Sequence, residues 1–99
     1  MGPRIAVSRE AVTAFCLRHH IRRLALFGSV LRDDFRPDSD VDVLVEFEEG
    51  HTPGLDFFGM EIELSELLGR NVDLQTPGFL SPYFRDHVLA EAEVVYDAA

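Results

Sequence analysis

The chain has 99 residues, of which 46% are apolar and 10% aromatic, so it can build one modest hydrophobic core and is not a disordered polypeptide. Its single cysteine, Cys16, excludes an internal disulfide, fits a reducing cytoplasm and is expected to pack as a small buried apolar group. The formal net charge of −9 disfavours direct binding to nucleic acid, because an acidic surface repels the phosphate backbone.

The charge is divided unevenly along the chain. Residues 1–36 contain seven arginines against three acidic residues, whereas residues 37–99 contain two arginines against fifteen acidic residues. The acidic part is compatible with a divalent metal ion or with a basic partner protein. No apolar run is long enough to span a bilayer, and no apolar signal segment follows residues 1–4. We therefore expect a single cytoplasmic domain over residues 1–99, with no membrane contact.

Helix and strand signals alternate in the first half of the chain. Ser8 is placed to cap a helix that runs to about Arg18. The apolar run at residues 24–27 ends at a glycine and predicts a buried strand. A short helix is expected to start near Ser29 and to end before Pro37, because a proline disfavours helical backbone in the residue that precedes it.

The second half of the chain continues the alternation. Val41–Phe47 is the clearest strand, because its valines alternate with residues of the opposite face. An apolar stripe predicts a helix over residues 55–68 that is closed by a glycine, and residues 72–74 predict a short strand. A helix follows from Ser81 to about residue 92, and residues 94–96 add an edge strand. These elements predict an α/β (α+β) fold in which a mixed sheet of about four strands is flanked by helices.

The turn at Gly28-Ser29 has the chemistry of a phosphate-binding element. Glycine lets a phosphate approach the backbone closely, and the free amides at a helix start point towards it. The hydroxyl of Ser29 adds another donor. Arg32 lies one turn further on, where a guanidinium can neutralise phosphate charge by a forked contact.

Three aspartates are candidates for a metal site. Asp40 and Asp42 are two residues apart on a predicted strand, so their side chains emerge on one face. Two adjacent carboxylates repel each other, and a divalent cation removes that penalty. Asp73 lies between two apolar residues of a short strand and is expected to face the same side as the pair. A phosphate-binding turn and three carboxylates around Mg²⁺ describe nucleotidyl transfer.

The run over residues 26–45 resembles the signature of the DNA polymerase beta-type nucleotidyltransferases. In that pattern Gly-Ser is followed by an arginine and, about eight residues later, by Ser-Asp-x-Asp. The matching residues here are Gly28, Ser29, Arg32, Ser39, Asp40 and Asp42. With the distal Asp73, the chain is specifically similar to the minimal (MNT-type) nucleotidyltransferases, the antitoxin partners of HEPN ribonuclease toxins. The resemblance covers nearly the whole chain.

The resemblance implies a set of roles. Gly28 and Ser29 would hold the triphosphate of ATP, with Arg32 and Ser39 in the same nucleotide-binding set. The carboxylates of Asp40, Asp42 and Asp73 would bind Mg²⁺, and Asp73 would also be the base for the attacking hydroxyl.

The implied reaction is transfer of AMP to a tyrosine of a cognate HEPN toxin, which silences the toxin. Larger members of the family carry an appended helical region that helps to hold the base or the acceptor. This chain has none, so we expect it to take part of its acceptor site from the partner, as a hetero-oligomer.

Several other interpretations are open. A non-catalytic antitoxin could neutralise the toxin by contact and keep a vestigial nucleotide site. A calcium loop beginning at Asp38 requires a glycine where Val43 stands, and a solvated acidic strand face leaves the Gly-Ser turn unexplained. The adjacent His19 and His20 are not expected to share a metal, because neighbouring helix positions point about 100° apart. They are predicted to be partly buried residues at a helix end.

Overall fold

The computed structural model describes residues 8–31, 40–51 and 53–98. These residues form three α-helices, four β-strands and two short 3₁₀ turns. In chain order the elements are α1 (Arg9–Arg18), β1 (Ile21–Phe27), the first 3₁₀ turn (Gly28–Leu31), β2 (Val41–Phe47), α2 (Asp56–Leu68), β3 (Val72–Gln75), the second 3₁₀ turn (Pro77–Phe79), α3 (Pro82–Glu91) and β4 (Glu93–Asp97). In the part of the chain that is described, no helix has both the length and the apolar character needed to cross a bilayer.

The four strands form one mixed sheet in the order β3-β2-β1-β4, which confirms the predicted fold class. Strand β1 pairs antiparallel with both β2 and β4, whereas β2 and β3 are parallel. A parallel pair needs a crossover connection, and α2 supplies it between β2 and β3. The register places Leu26 opposite Val43 and Val43 opposite Leu74, so β1, β2 and β3 share one apolar face.

That apolar face carries the core. Helix α1 contributes Val12, Phe15 and Cys16, α2 contributes Met60 and Leu64, and all five side chains are buried. They pack against the valines and leucines of β1, β2 and β3. Because successive strand residues point to opposite sides of the sheet, every second side chain of β2 faces away from this core. The acidic residues of the candidate site lie on this second face.

Capping residues that were predicted from the sequence mark one end of each helix. Ser8 caps α1 as predicted, and its Oγ accepts a hydrogen bond from the amide of Ala11 at 3.3 Å. Gly69 ends α2 in a left-handed conformation with φ 68°, and Ser81 caps α3 by accepting from the amide of Tyr83. Cys16 is fully buried in the core, as predicted, and burial raises the pKa of its thiol to about 12.

Two predictions about boundaries need correction. Strand β1 begins at Ile21 instead of residue 24, because Arg22 is accommodated in the strand by donating to Glu46 of β2 at 2.7 Å. The helix expected from Ser29 starts as a 3₁₀ turn over Gly28–Leu31. The rest of that predicted helix, up to Pro37, lies outside the described residues.

Candidate functional site

The sheet brings two of the predicted aspartates side by side. Asp42, the second residue of β2, is the register partner of Asp73 in the parallel strand β3. Register partners share a face of the sheet on strands about 4.8 Å apart. Asp42 is also the partner of Phe27, the last residue of β1, which places it next to the turn that follows. The structure therefore brings Gly28, Asp42 and Asp73 together, although they are distant in sequence.

Gly28 meets Asp42 so closely that a larger residue does not fit. Its φ is +77°, in the region where side chains are strained, and a Cβ built on it would lie 2.3 Å from Oδ2 of Asp42. The absence of a side chain thus leaves room for the carboxylate at the mouth of the turn. The predicted contact of this turn with a phosphate stays a prediction.

The other predicted site residues are Asp40, Ser29, Arg32 and Ser39. Asp40 precedes β2, is exposed and lies outside the set of residues that line the groove described below. Ser29 lies in the first 3₁₀ turn, beside Gly28. Arg32 and Ser39 fall outside the described residues, so their predicted contact with phosphate stays a prediction. The calcium-loop alternative is wrong, because Val43 is fully buried inside β2.

Asp73 is held in place by neighbours that the sequence did not reveal. The amide nitrogen Nε2 of Gln75 donates to Oδ1 of Asp73 at 2.9 Å. Strand β3 is an edge strand, and two side chains of α2 satisfy its outward amides: Glu61 Oε2 accepts from Leu74 at 2.8 Å, and Ser65 Oγ accepts from Val72 at 3.0 Å. These contacts anchor β3 to the helix and so fix the position of Asp73 relative to Asp42.

Glu61→Ala is expected to lower the free energy of unfolding by about 1–3 kcal/mol, because the amide of Leu74 loses a charged acceptor. Urea unfolding followed by circular dichroism measures this loss. Glu66→Ala, an exposed change on the same helix, is the matched control and is expected to stay within about 0.5 kcal/mol of the wild type. Equal losses in the two variants would contradict the anchoring role of Glu61.

A groove of about 540 Å³ opens over the two aspartates, a volume within the usual range for ligand pockets. One wall is the sheet face, and the other is α3 with the residue that precedes its cap. The lining residues are Phe27, Gly28, Asp42, Asp73, Gln75, Leu80, Ser81, Phe84, His87, Val88 and Glu91. The groove is acidic at the sheet and partly apolar along α3. It can therefore hold a ligand with a charged end and a flat apolar end.

Helix α3 is the part of the site that sequence reasoning missed. Phe84, His87, Val88 and Glu91 lie at helical spacing i, i+3, i+4 and i+7, so they form one face, and that face lines the groove. Phe84 is 63% exposed, which excludes a core role for it. The start of the helix is secured by Arg85, whose Nε donates to the carbonyl of Pro77 at 2.9 Å. The helical spacing was visible in the sequence, but the surface it faces was not.

The donor set of the groove fits a hard divalent cation. Asp42 and Asp73 supply carboxylate oxygens on adjacent strands, which is the ligand type that Mg²⁺ prefers in proteins. Gly28 lies beside this pair, with Oδ2 of Asp42 in the space that a Cβ would fill. Phosphate oxygens would complete the coordination of such an ion. This combination of carboxylates and a glycine turn is suited to binding a nucleotide triphosphate with its metal.

Comparison with known proteins agrees with this geometry. Residues 8–95 match the nucleotidyltransferase domain family. The chain belongs to the nucleotidyltransferases. The match extends from the cap of α1 to β4 and so includes every element that surrounds the groove.

Individual nucleotidyltransferases show the same similarity. The chain is 42% identical over 80 residues to the protein adenylyltransferase MntA of Thermococcus cleftensis, an alignment that covers 80% of this chain and 77% of the relative. It is 48% identical to a solved structure assigned as a minimal nucleotidyltransferase, with a TM-score of 0.71 and 85% of each chain covered.

A more distant structure shares the fold. It contains an AMPylated HEPN toxin of Shewanella oneidensis in complex with an MNT antitoxin. The matched chain is 16% identical to this one, with a TM-score of 0.66, 90% of this chain covered and 69% of the other. At that identity the likeness establishes the minimal nucleotidyltransferase fold, and what the other protein binds is a property of that complex.

Proposed function

We propose that this nucleotidyltransferase is a Mg²⁺-dependent protein adenylyltransferase that transfers AMP from ATP to a tyrosine hydroxyl of a cognate HEPN toxin. In this role it is a cytoplasmic antitoxin that acts in a complex with its target. The observation that carries the proposal is the pairing of Asp42 with Asp73 beside Gly28, in one groove. The names of the relatives, an adenylyltransferase and a toxin–antitoxin complex, support the choice of nucleotide and partner.

The groove suggests how ATP would be oriented. The triphosphate would lie at the sheet, with Gly28 and Ser29 against the phosphates and Arg32 and Ser39 as further contacts. The adenine would lie along α3, where the exposed ring of Phe84 offers a stacking surface. This orientation uses the acidic end of the groove for the metal and the apolar end for the base.

The reaction requires one bond to form and one to break. The acceptor oxygen attacks the α-phosphorus of ATP, and the bond from that phosphorus to the oxygen shared with the β-phosphate breaks, so that pyrophosphate leaves. Asp73 would take the proton of the attacking hydroxyl, since it is exposed at the sheet edge where an acceptor can approach. Mg²⁺ held by Asp40, Asp42 and Asp73 would offset the negative charge of the phosphates.

The acidic surface of the chain favours a basic partner. The net charge is −9, and complementary charge speeds association and orients the two proteins. A ribonuclease that binds an RNA backbone has a basic surface of this kind. The open groove leaves space for a side chain of the partner to reach the α-phosphate.

Intact mass spectrometry of the partner tests the proposal. The chain is co-purified with the product of the neighbouring gene and incubated with ATP and Mg²⁺. The partner is expected to gain the mass of one or more AMP units and to lose ribonuclease activity in step with that gain. Omitting the metal, or replacing the oxygen between the α- and β-phosphates by carbon, is expected to prevent the gain, because the second change blocks the bond that must break.

A contact-only antitoxin is the second candidate, and an exposed apolar stripe on α2 favours it. Leu55, Phe58 and Ile62 are 88%, 68% and 61% exposed and follow helical spacing, so they form a surface on which a partner could dock. If the partner stays unmodified but remains tightly bound and inactive, this candidate replaces the first. Phe58→Asp would then abolish protection, whereas changes to Asp42 would not.

A further inference from the structure

A second cluster of metal-ligating side chains lies at the opposite end of the sheet. His20 precedes β1, whereas Glu48 and His51 follow β2, and the antiparallel pairing of Ile21 with Phe47 brings these segments together. Strands β1 and β2 each have seven residues, and such strands are about 20 Å long. The cluster is therefore separate from the groove at Gly28.

The three side chains converge. Their ligand atoms all lie within 4.8 Å of one another, and Nδ1 of His20 is 3.8 Å from Oε1 of Glu48. The imidazole rings of His20 and His51 stack with their centroids 4.0 Å apart and 17° between their planes. The residues are exposed, so the imidazole rings can turn without disturbing the core.

The backbone around the cluster is organised by its own hydrogen bonds. The amide of Glu48 donates to the carbonyl of His20 at 2.8 Å, and the amide of His51 donates to the carbonyl of Glu48 at 3.0 Å. His20 has a φ of +56°, a conformation that is uncommon outside glycine. This left-handed residue lies between the end of α1 and the start of β1.

This placement differs from the prediction made for the histidines. His20 was expected to be partly buried at a helix end, but it is exposed. Only His19 matches that description, with Nε2 of its ring 2.9 Å from Oε1 of Glu63 on α2. The histidine that contacts His20 is His51, which lies 31 residues further along the chain.

We propose that His20, Glu48 and His51 form a binding site for a divalent transition-metal ion of the zinc class. Two imidazole nitrogens and one carboxylate oxygen are typical zinc ligands, whereas Mg²⁺ prefers oxygen alone. Three protein ligands leave a fourth tetrahedral position for water. Zinc–nitrogen bonds of about 2.0–2.1 Å require the two ligand nitrogens to lie about 3.3 Å apart. Each lone pair lies in the plane of its ring, so the two exposed rings must turn out of their stacked arrangement to direct both lone pairs at one ion.

Two described arginines that are close to the cluster in sequence are paired with other carboxylates. Arg22 donates to Glu46 at 2.7 Å, and Arg18 forms an ion pair with Glu63. Both guanidinium groups are therefore engaged by other carboxylates. Glu49, the next residue in the loop, adds negative charge near the site without belonging to the cluster.

Isothermal titration with ZnCl₂ tests the proposal. The untagged full chain is titrated in excess Mg²⁺, which is added to occupy the carboxylates of the groove. The wild type is expected to bind one zinc ion per chain. His51→Gln, a change in an exposed loop that does not endanger folding, is expected to lower the affinity by more than about tenfold. His20→Asn, which tolerates the left-handed backbone, is expected to do the same.

Glu49→Gln is the matched control, since it removes a charge from the same loop and should leave the affinity unchanged. Proton NMR gives a readout that is independent of affinity: zinc should shift the ring resonances of His20 and His51 and leave those of His87 in place. The proposal is wrong if the wild type binds no zinc, or if both histidine variants bind it as the wild type does. Neither result would affect the proposed AMP transfer, which uses the other end of the sheet.

Discussion

Asp42→Asn is expected to reduce AMP transfer to the partner by more than about 100-fold while leaving the fold intact. The change keeps the size of the side chain but removes the negative charge with which Asp42 would bind the proposed Mg²⁺. Loss of a group that only supports a metal ligand already costs about 10–100-fold in affinity or activity, so loss of a ligand should exceed that range. Single-turnover assays with ATP and Mg²⁺, followed by the mass of the partner, measure the effect.

Thermal unfolding adds a second readout for Asp42→Asn. Ligand at about 100 times its dissociation constant stabilises a protein by about 2.7 kcal/mol, and the variant should lose most of this gain with ATP and Mg²⁺. Asp56→Asn, the same chemical change at the exposed start of α2, is the control and should behave as the wild type. Transfer by the Asp42 variant at the wild-type rate would refute the catalytic proposal and favour the contact-only antitoxin.

Gly28→Ala is expected to reduce AMP transfer by about 100-fold or more and to destabilise the fold. The new Cβ would lie 2.3 Å from Oδ2 of Asp42, whereas ordinary contact begins at 3.4 Å, so the carboxylate must move by about 1 Å. A displacement of that size at a reacting centre can cost about 100-fold. The left-handed backbone adds about 1–2 kcal/mol of strain for any residue with a side chain.

Gly69→Ala separates the effect of backbone strain from the effect of the contact with Asp42. Gly69 also has a left-handed backbone, with φ +68°, but no atom lies within 4 Å of the Cβ built on it. This variant should lose stability to a similar degree and keep its transfer rate. The measurement is the rate for each variant at a temperature where both are folded. If Gly28→Ala and Gly69→Ala have the same rate, the contact between Gly28 and Asp42 has no catalytic importance.

The sequence by itself determined the features that depend on near neighbours. Ser8 caps α1 and Gly69 ends α2 because capping involves backbone groups within the same helical turn. Strand β2 has the predicted bounds, since alternation with a period of two is a property of the strand alone. The same logic placed Asp42 and Asp73 on one face, as each lies between apolar residues that must point to the core.

Other features were decided by the tertiary structure. Strand β1 extends back to Ile21 because Arg22 pairs with an acidic residue on β2. The sequence of β1 alone could not predict that pair. The groove exists because one face of α3 lies over the sheet, and periodicity indicates a helix face but not the surface that it covers.

The contacts that position the site residues also could not be predicted from the local sequence. Glu61 holds the edge of β3 from thirteen residues away, and His20 stacks on His51 across the β1–β2 pairing. Each of these contacts joins segments whose proximity follows from strand order and register. Local sequence therefore determined which residues point towards the site face, whereas packing between distant segments determined which of them meet.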